Sequence, residues 1–216
     1  MAVLNVNPTR MELTNLKRKL VTARRGHKLL KDKRDELMRQ FLELIKENRE
    51  LRLKVESAIK KANQHMSLAC SVMSEESLSV SLMMPSQNIK IELNDKNIMS
   101  VNVPEYKTVM KSAQKGSVYS YGFAFTSGDL DAAVNSFADI MPDLIRLAQI
   151  EKTCQLLAAE IEKTRRRTNA LEHVMIPDYI DTIKYISGKL EENERSNTAR
   201  LMKIKNIMLQ NAHNYN

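Results

Sequence analysis

The sequence predicts a mainly α protein in which long N- and C-terminal helices form an antiparallel, left-handed two-helix coiled coil around a small central α/β head. Three observations carry that expectation. The 216 residues include only five Gly and five Pro, well under the roughly 12% that the two average together. Most of these breakers, from Pro85 to Pro142, fall in one central stretch. Apolar residues then recur at heptad spacing on both sides of that stretch. A doubly wound sheet, barrel or sandwich needs a turn every dozen residues or so and is excluded on this count.

The N-terminal helix is expected over residues 8–84. With Leu13 as position a, the seam runs through Leu13, Leu16, Leu20, Ala23, His27, Leu30, Arg34, Leu37, Phe41, Leu44, Asn48, Leu51, Val55, Ala58, Ala62, His65, Ala69 and Val72. An apolar repeat sustained over this many heptads is a coiled-coil seam, and at about 1.5 Å per residue it implies a helix roughly 90–100 Å long. Thr9 or Asn7 can cap the start, with Pro8 suited to the first turn. His27 and His65 fall on the seam and read as register-setting polar positions.

The C-terminal helix, expected over 143–210 with a short tail at 211–216, repeats the pattern. Its seam passes through Ile150, Cys154, Leu157, Ile161, Thr164, Thr168, Leu171 and Met175, and resumes at Ile183, Ile186 and Leu190, with Ile204 and Ile207 further on. Pro177 lacks the N–H for one backbone bond and crowds the preceding turn, so the helix should kink or loosen there. Two such helices separated by a breaker-rich centre most economically fold back on each other.

The head is expected over 85–142. Ile89-Lys90-Ile91-Glu92-Leu93 alternates with period two, Asn94 to Asn97 is turn chemistry, and Ile98 to Val103 resumes the strand before Pro104, giving a β-hairpin over about 89–103. Tyr119, Tyr121, Phe123 and Phe125 also alternate, and together with Tyr106 and Phe137 read as either the head's own core or a docking surface, the core reading being favoured because small folds need their aromatics for burial. Thr126-Ser127-Gly128-Asp129 begins a short helix over about 129–140, with Leu130, Val134, Phe137 and Met141 on one face. The thirteen Met residues read as flexible filler for a narrow, irregular core.

Charge and chemistry bound the function. The net charge is +8, and Arg10–Arg34 alone holds ten Lys or Arg against Glu12 and Asp32, so this block carries the whole excess. Such a block suits nucleic acid, an anionic membrane surface or an acidic protein. Cys70 and Cys154 have no CxxC neighbourhood and read as two reduced thiols. No phosphate loop, GxGxxG, HExxH or GxSxG occurs, and the histidines are scattered. No catalytic, cofactor-binding or metal-ligating residue is therefore expected, and the chain alone is not expected to be an enzyme. Nothing in the first residues has the form of a secretory signal, and no apolar run is long enough to span a membrane.

Two segments resemble a known family. Asn7-Pro8-Thr9-Arg10, the leucines at 13, 16 and 20, and the run from Ala23-Arg24-Arg25-Gly26-His27-Lys28 to Leu37 are similar to the N-terminal signature of the central-stalk D subunit of V-type and archaeal-type rotary ATPases. Thr164-Arg165-Arg166-Arg167-Thr168-Asn169-Ala170-Leu171-Glu172, Ile176-Pro177, Leu190-Glu191-Glu192 and Arg200-Leu201 resemble its C-terminal signature. The resemblance implies a non-catalytic rotor shaft that couples ATP hydrolysis or synthesis to proton or sodium ion transport. It implies a position in the bore of a hexamer of catalytic A and non-catalytic B subunits, with the small stalk protein of these ATPases, their F subunit, at its side. A funnel-shaped subunit would link it to the membrane ring, so that it sits peripherally on the cytoplasmic face, with no membrane span and no nucleic-acid partner. No cofactor is expected, since nucleotide binds the hexamer. Arg24, Arg25, Lys28, Arg165, Arg166 and Arg167 are the candidate partner contacts, meeting acidic loops of that hexamer. The hairpin is a candidate partner platform or modulator of coupling. The competing class is a coiled-coil nucleic-acid-binding protein using Arg10–Arg34, although no aromatic residues interleave with the basic ones as single-strand binding would require.

Overall fold

The computed structural model describes residues 4–85, 87–112, 119–122, 124 and 126–214. In chain order these form α1 (Arg10–Val72), α2 (Glu75–Leu82), β1 (Gln87–Ile98), β2 (Val101–Ser112), α3 (Gly128–Ala170), a π-turn (Leu171–Met175) and α4 (Ile176–Asn214). Two long helices and a two-stranded antiparallel hairpin thus account for the predicted classes of element. The chain divides into two compact units, Met1–Asp35 with Glu162–Asn216, and Glu36–Ile161.

Helix starts follow from side-chain caps. The Thr9 hydroxyl accepts from the Glu12 N–H at 3.2 Å, so Thr9 is the cap of α1 and Pro8 lies before the helix, not in its first turn. Ser127 caps α3, its hydroxyl accepting from Asp129 N–H at 3.2 Å. The expected break at Pro142 is absent: α3 runs through it from Gly128 to Ala170. A proline inside a helix costs about 3 kcal/mol or more, and burial of Ile140 on one side and Ile150 on the other offsets that cost and holds the helix continuous. Pro177 acts as expected, with a particular geometry. The turn before it is a π-turn in which the Ile176 N–H reaches Leu171 O, a wider ring that relieves crowding by the proline.

In the first unit, the early turns of α1 run antiparallel to α4, with Arg10 bonded to Glu194 and His27 Nε2 3.3 Å from Glu172 Oε2. Leu16 and Ile186 are buried. Thr164, Thr168 and Thr182 are buried too. Thr168 donates to Thr164 O at 2.8 Å and Thr182 to Asp178 O at 2.6 Å, so their hydroxyls are satisfied within the helix and their methyl groups pack as a β-branched apolar residue would. Thr182 Oγ1 also accepts from Leu4 N–H at 3.1 Å.

The second unit is built the same way and covered by the hairpin. Glu47 pairs with Arg146 at 2.5 Å and Lys54 with Asp143 at 2.8 Å, again with numbers falling on one helix as they rise on the other. Val55, Ala62 and Ile140 form one buried cluster. Leu37, Leu157 and Ile161 form another, and Val101 and Val103 from the hairpin complete it.

The hairpin turns at Met99–Ser100, not at Asn94–Asn97. Ile98 pairs with Val101 and Gln87 with Ser112, and the two turn residues have φ of 48° and 72°, as a two-residue type I′ turn requires. Met99 and Ser100 are poor choices for that turn on local chemistry alone. The register is set instead by burial, since Ile98 and Met99 pack on the cluster that buries Val101 and Val103, and a slip would move those side chains to the other face. The Asn97 side chain fixes the turn by accepting from Ser100 N–H at 3.0 Å. Pro104 sits inside β2 opposite Asp95, tolerated because both strands of this sheet are edges.

Among the described residues the head shows no aromatic core: the buried apolar side chains there include no aromatic and no Met. Tyr106, Tyr119 and Tyr121 are half-buried and Phe137 is exposed, while Phe123 and Phe125 lie outside the described residues. A two-helix core is a line of Leu, Ile, Val and Ala too narrow for large side chains, which also explains why Met11, Met83, Met84, Met202 and Met208 are on the surface. The tyrosines serve as polar struts. Tyr121 donates to Asp131 Oδ1 at 2.7 Å, and burial, reinforced by that carboxylate, pushes its phenol above the usual range. At the start of α3 the buried positions are Leu130, Ala133 and Ile140, not the expected face through Phe137 and Met141.

Leu157 is fully buried beneath the hairpin tip, so Leu157→Ala should cost about 2–5 kcal/mol. Ser100→Gly should stabilise by up to about 1 kcal/mol by relieving a left-handed backbone. Urea denaturation of the two variants tests both signs. A destabilised Ser100→Gly would contradict the turn assignment.

Candidate interaction surface

The candidate partner contacts are surface side chains, and the seam decides which residues reach that surface. Leu16, Leu37, Val55, Leu157 and Ile161 are buried, and Leu13, Leu20, Leu30, Leu44, Leu51 and Leu171 are half-buried. Residues between seam positions on a helix must then face outward. Arg24, Arg25, Lys28, Arg165, Arg166 and Arg167 are all exposed, and all belong to the first unit. Arg166 is bonded to Glu162 one turn earlier. The other five form no ion pair among the described residues. The structure therefore brings both basic groups onto one unit and leaves most of their charge unspent.

The two seam histidines differ. His27 sits beside Glu172, a polar cross-link between the helices of the first unit. In the second unit His65 Nδ1 is shielded from solvent and has no hydrogen-bond partner among the described residues. No group of three or more His, Cys, Asp or Glu side chains that could hold a metal ion occurs among the described residues. No described helix is long and apolar enough to cross a membrane.

One feature of the surface was missed by the heptad pattern. Ile204 and Ile207 were expected to continue the seam, yet they are 49% and 47% exposed, and Leu201, Met202, Met208 and Leu209 are more exposed still. Helix length explains this. α1 starts at Arg10, which already meets Glu194, so the remaining turns of α4 extend beyond the start of α1. The signal was present in the sequence as Pro8, which marks where the first helix begins.

Comparison with known proteins identifies the scaffold. A family model for the D subunit of ATP synthase matches residues 12–206. The chain belongs to the family of ATP synthase D subunits. It is similar to the V-type ATP synthase D subunit of Acetivibrio thermocellus, with 57% identity over 100% of this chain and 97% of that protein. It is likewise similar to the V-type ATP synthase D subunit of Clostridioides difficile, with 57% identity over 98% of this chain and 95% of the relative. The counterpart in Clostridium novyi is 54% identical over 96% and 97%. The matched span holds both basic groups, the hairpin and nearly all of the seam.

The two thiols provide a direct check on the surface. Cys70 is exposed and Cys154 is half-buried. Burial first, and Glu151 second, raise the Cys154 pKa above the usual thiol range. Since the thiolate is the reacting species, an aromatic disulfide reagent at pH 8 should modify Cys70 quickly and Cys154 slowly. The Cys154 rate should climb as pH rises toward its shifted pKa. Equal rates at pH 8, measured by mass spectrometry, would contradict the packing around Cys154.

Proposed function

We propose that this chain is the non-catalytic central-stalk rotor of a V/A-type ATPase or ATP synthase. It would turn inside a hexamer of catalytic A and non-catalytic B subunits and couple ATP hydrolysis or synthesis to the transport of protons or sodium ions. The observation that carries the proposal is the end-to-end match to relatives named as the D subunit of V-type ATP synthase. The small stalk protein, the F subunit, and a funnel-shaped subunit leading to the membrane ring complete the set of partners. The chain itself would lie peripherally at the cytoplasmic face.

Physical chemistry supports a shaft. Sequential nucleotide states can turn a rotor only if each state has a different interaction energy with the rotor's orientations, and helices of unlike sequence make the surface non-circular. The exposed apolar end of α4, Leu201 to Leu209, suits seating inside a ring. Unpaired Arg24, Arg25, Lys28, Arg165 and Arg167 suit steering toward acidic loops, an effect that acts mainly on association rate and fades with salt. At the hairpin, the tip belongs to the core while Ile91 and Leu93 are 49% and 70% exposed, which supports a platform for a partner that modulates coupling.

Gel filtration of the chain with A and B subunits should show comigration as one complex, and elution of the chain alone would overturn the rotor assignment. Replacing Arg165, Arg166 and Arg167 together with Gln should slow assembly at low salt and matter little at high salt. Each screened contact is worth only about 0–1 kcal/mol, so single replacements should be nearly silent. Assembly by the triple variant at the parent's rate at low salt would remove these arginines from the contact.

A further inference from the structure

A groove opens in the first unit where α1 passes the π-turn. Ala23 and Gly26 of α1 face Leu171 and Met175 of the turn and Tyr179 of α4 across a cavity of about 460 Å³. Three local causes keep it open. Gly26 contributes no side chain, and a Cβ placed there would meet nothing within 4 Å. The π-turn spends an extra residue in one turn and so reshapes the opposing wall. Pro177, having no N–H, denies that turn one regular α-helical bond.

Each of these features costs stability. Glycine in a helix interior costs about 0.5–1 kcal/mol relative to alanine, and the π-turn gives up regular hydrogen bonding. Local violations of helix rules are expected at functional or strained sites, and here several converge on one spot. The rim supplies the chemistry. Arg18 and Lys19 line the groove, are exposed and have no ion-pair partner among the described residues. An apolar floor beside two unpaired cations fits a segment that presents a large apolar side chain next to carboxylates.

We propose that the Gly26 groove is a docking site for an acidic segment of the catalytic hexamer carrying an aliphatic or aromatic anchor residue. The proposal rests on the rotor reading above and deepens it. The basic residues around the groove steer the approach, and the groove supplies the desolvated pocket in which an interface concentrates its binding energy. Because the groove opens between particular residues on one side of the helix pair, it also distinguishes one rotor orientation from another, as a torque-bearing contact must.

The test compares the full chain and four variants for binding to the assembled A and B hexamer, with circular dichroism as a folding check. Leucine is a better helix former than glycine, so Gly26→Leu keeps α1 intact while filling the groove, and it should weaken binding by at least about tenfold. Gly26→Ala, which adds one carbon, and Gly188→Leu, a helical glycine that does not line the groove and whose Cβ would also meet nothing within 4 Å, should bind like the parent. Arg18→Gln with Lys19→Gln should weaken binding at low salt and much less at high salt. A photo-crosslinking phenylalanine in place of Thr22 should capture a segment rich in Asp and Glu. If the parent binds and Gly26→Leu binds equally well, the groove proposal is overturned while the rotor reading stands. Capture of a neutral or basic segment overturns it as well. Failure of the parent to bind the hexamer overturns both.

Discussion

Two helices packed side by side bury one line of side chains, and the rest of this protein answers to how little that line can hold. Each unit closes with narrow, aliphatic or back-bonded residues: Leu16, Thr168, Thr182 and Ile186 in the first, Val55, Ala62, Leu157 and Ile161 in the second. Bulky side chains such as Met11, Met202, Met208 and Phe137 lie outward because the fully buried line has no width for them, and Phe41 and Met99 pack only against its edge. Where more burial is needed, the hairpin lays Val101 and Val103 over Leu37 and Leu157, which also fixes the register of strands whose turn residues would not choose it.

Much of this was legible in the amino-acid order. The seam leucines, the antiparallel pairing, the start of α3 at Ser127 and the irregularity before Pro177 follow from periodicity and from what proline cannot donate. Two of the departures share one cause, tertiary burial outweighing local preference. Asn94 to Asn97 has turn chemistry, but the core takes the tip residues and moves the turn to Met99–Ser100. Pro142 should stop a helix, yet packing on both sides carries α3 through it. Of the candidate surface, the exposure of the arginines could be inferred from the seam. The Gly26 groove could not, because it depends on a π-turn meeting a glycine 145 or more positions away in sequence, at Leu171.

The same narrowness gives the surface its character. Since almost nothing fits between the helices, nearly every charge points outward, and both candidate basic groups lie in the first unit. An object of this kind has many distinguishable sides, and distinguishable sides are what the proposed rotor needs. The family assignment rests on residues 12–206, and a surface with cationic, apolar and grooved patches suits the proposed rotor role. In the proposed rotor, the same α-helical regularity would let torque pass along a helix without being absorbed by a hinge.

Rotation itself is the most direct test of that role. A biotin on exposed Cys70 would carry a bead while the hexamer of A and B subunits, assembled with this chain, is fixed to a surface and supplied with ATP. The account predicts continuous rotation in one direction that stops when ATP is withdrawn. A hexamer that hydrolyses ATP with this chain stably bound, while the bead only fluctuates about a fixed angle, would contradict it.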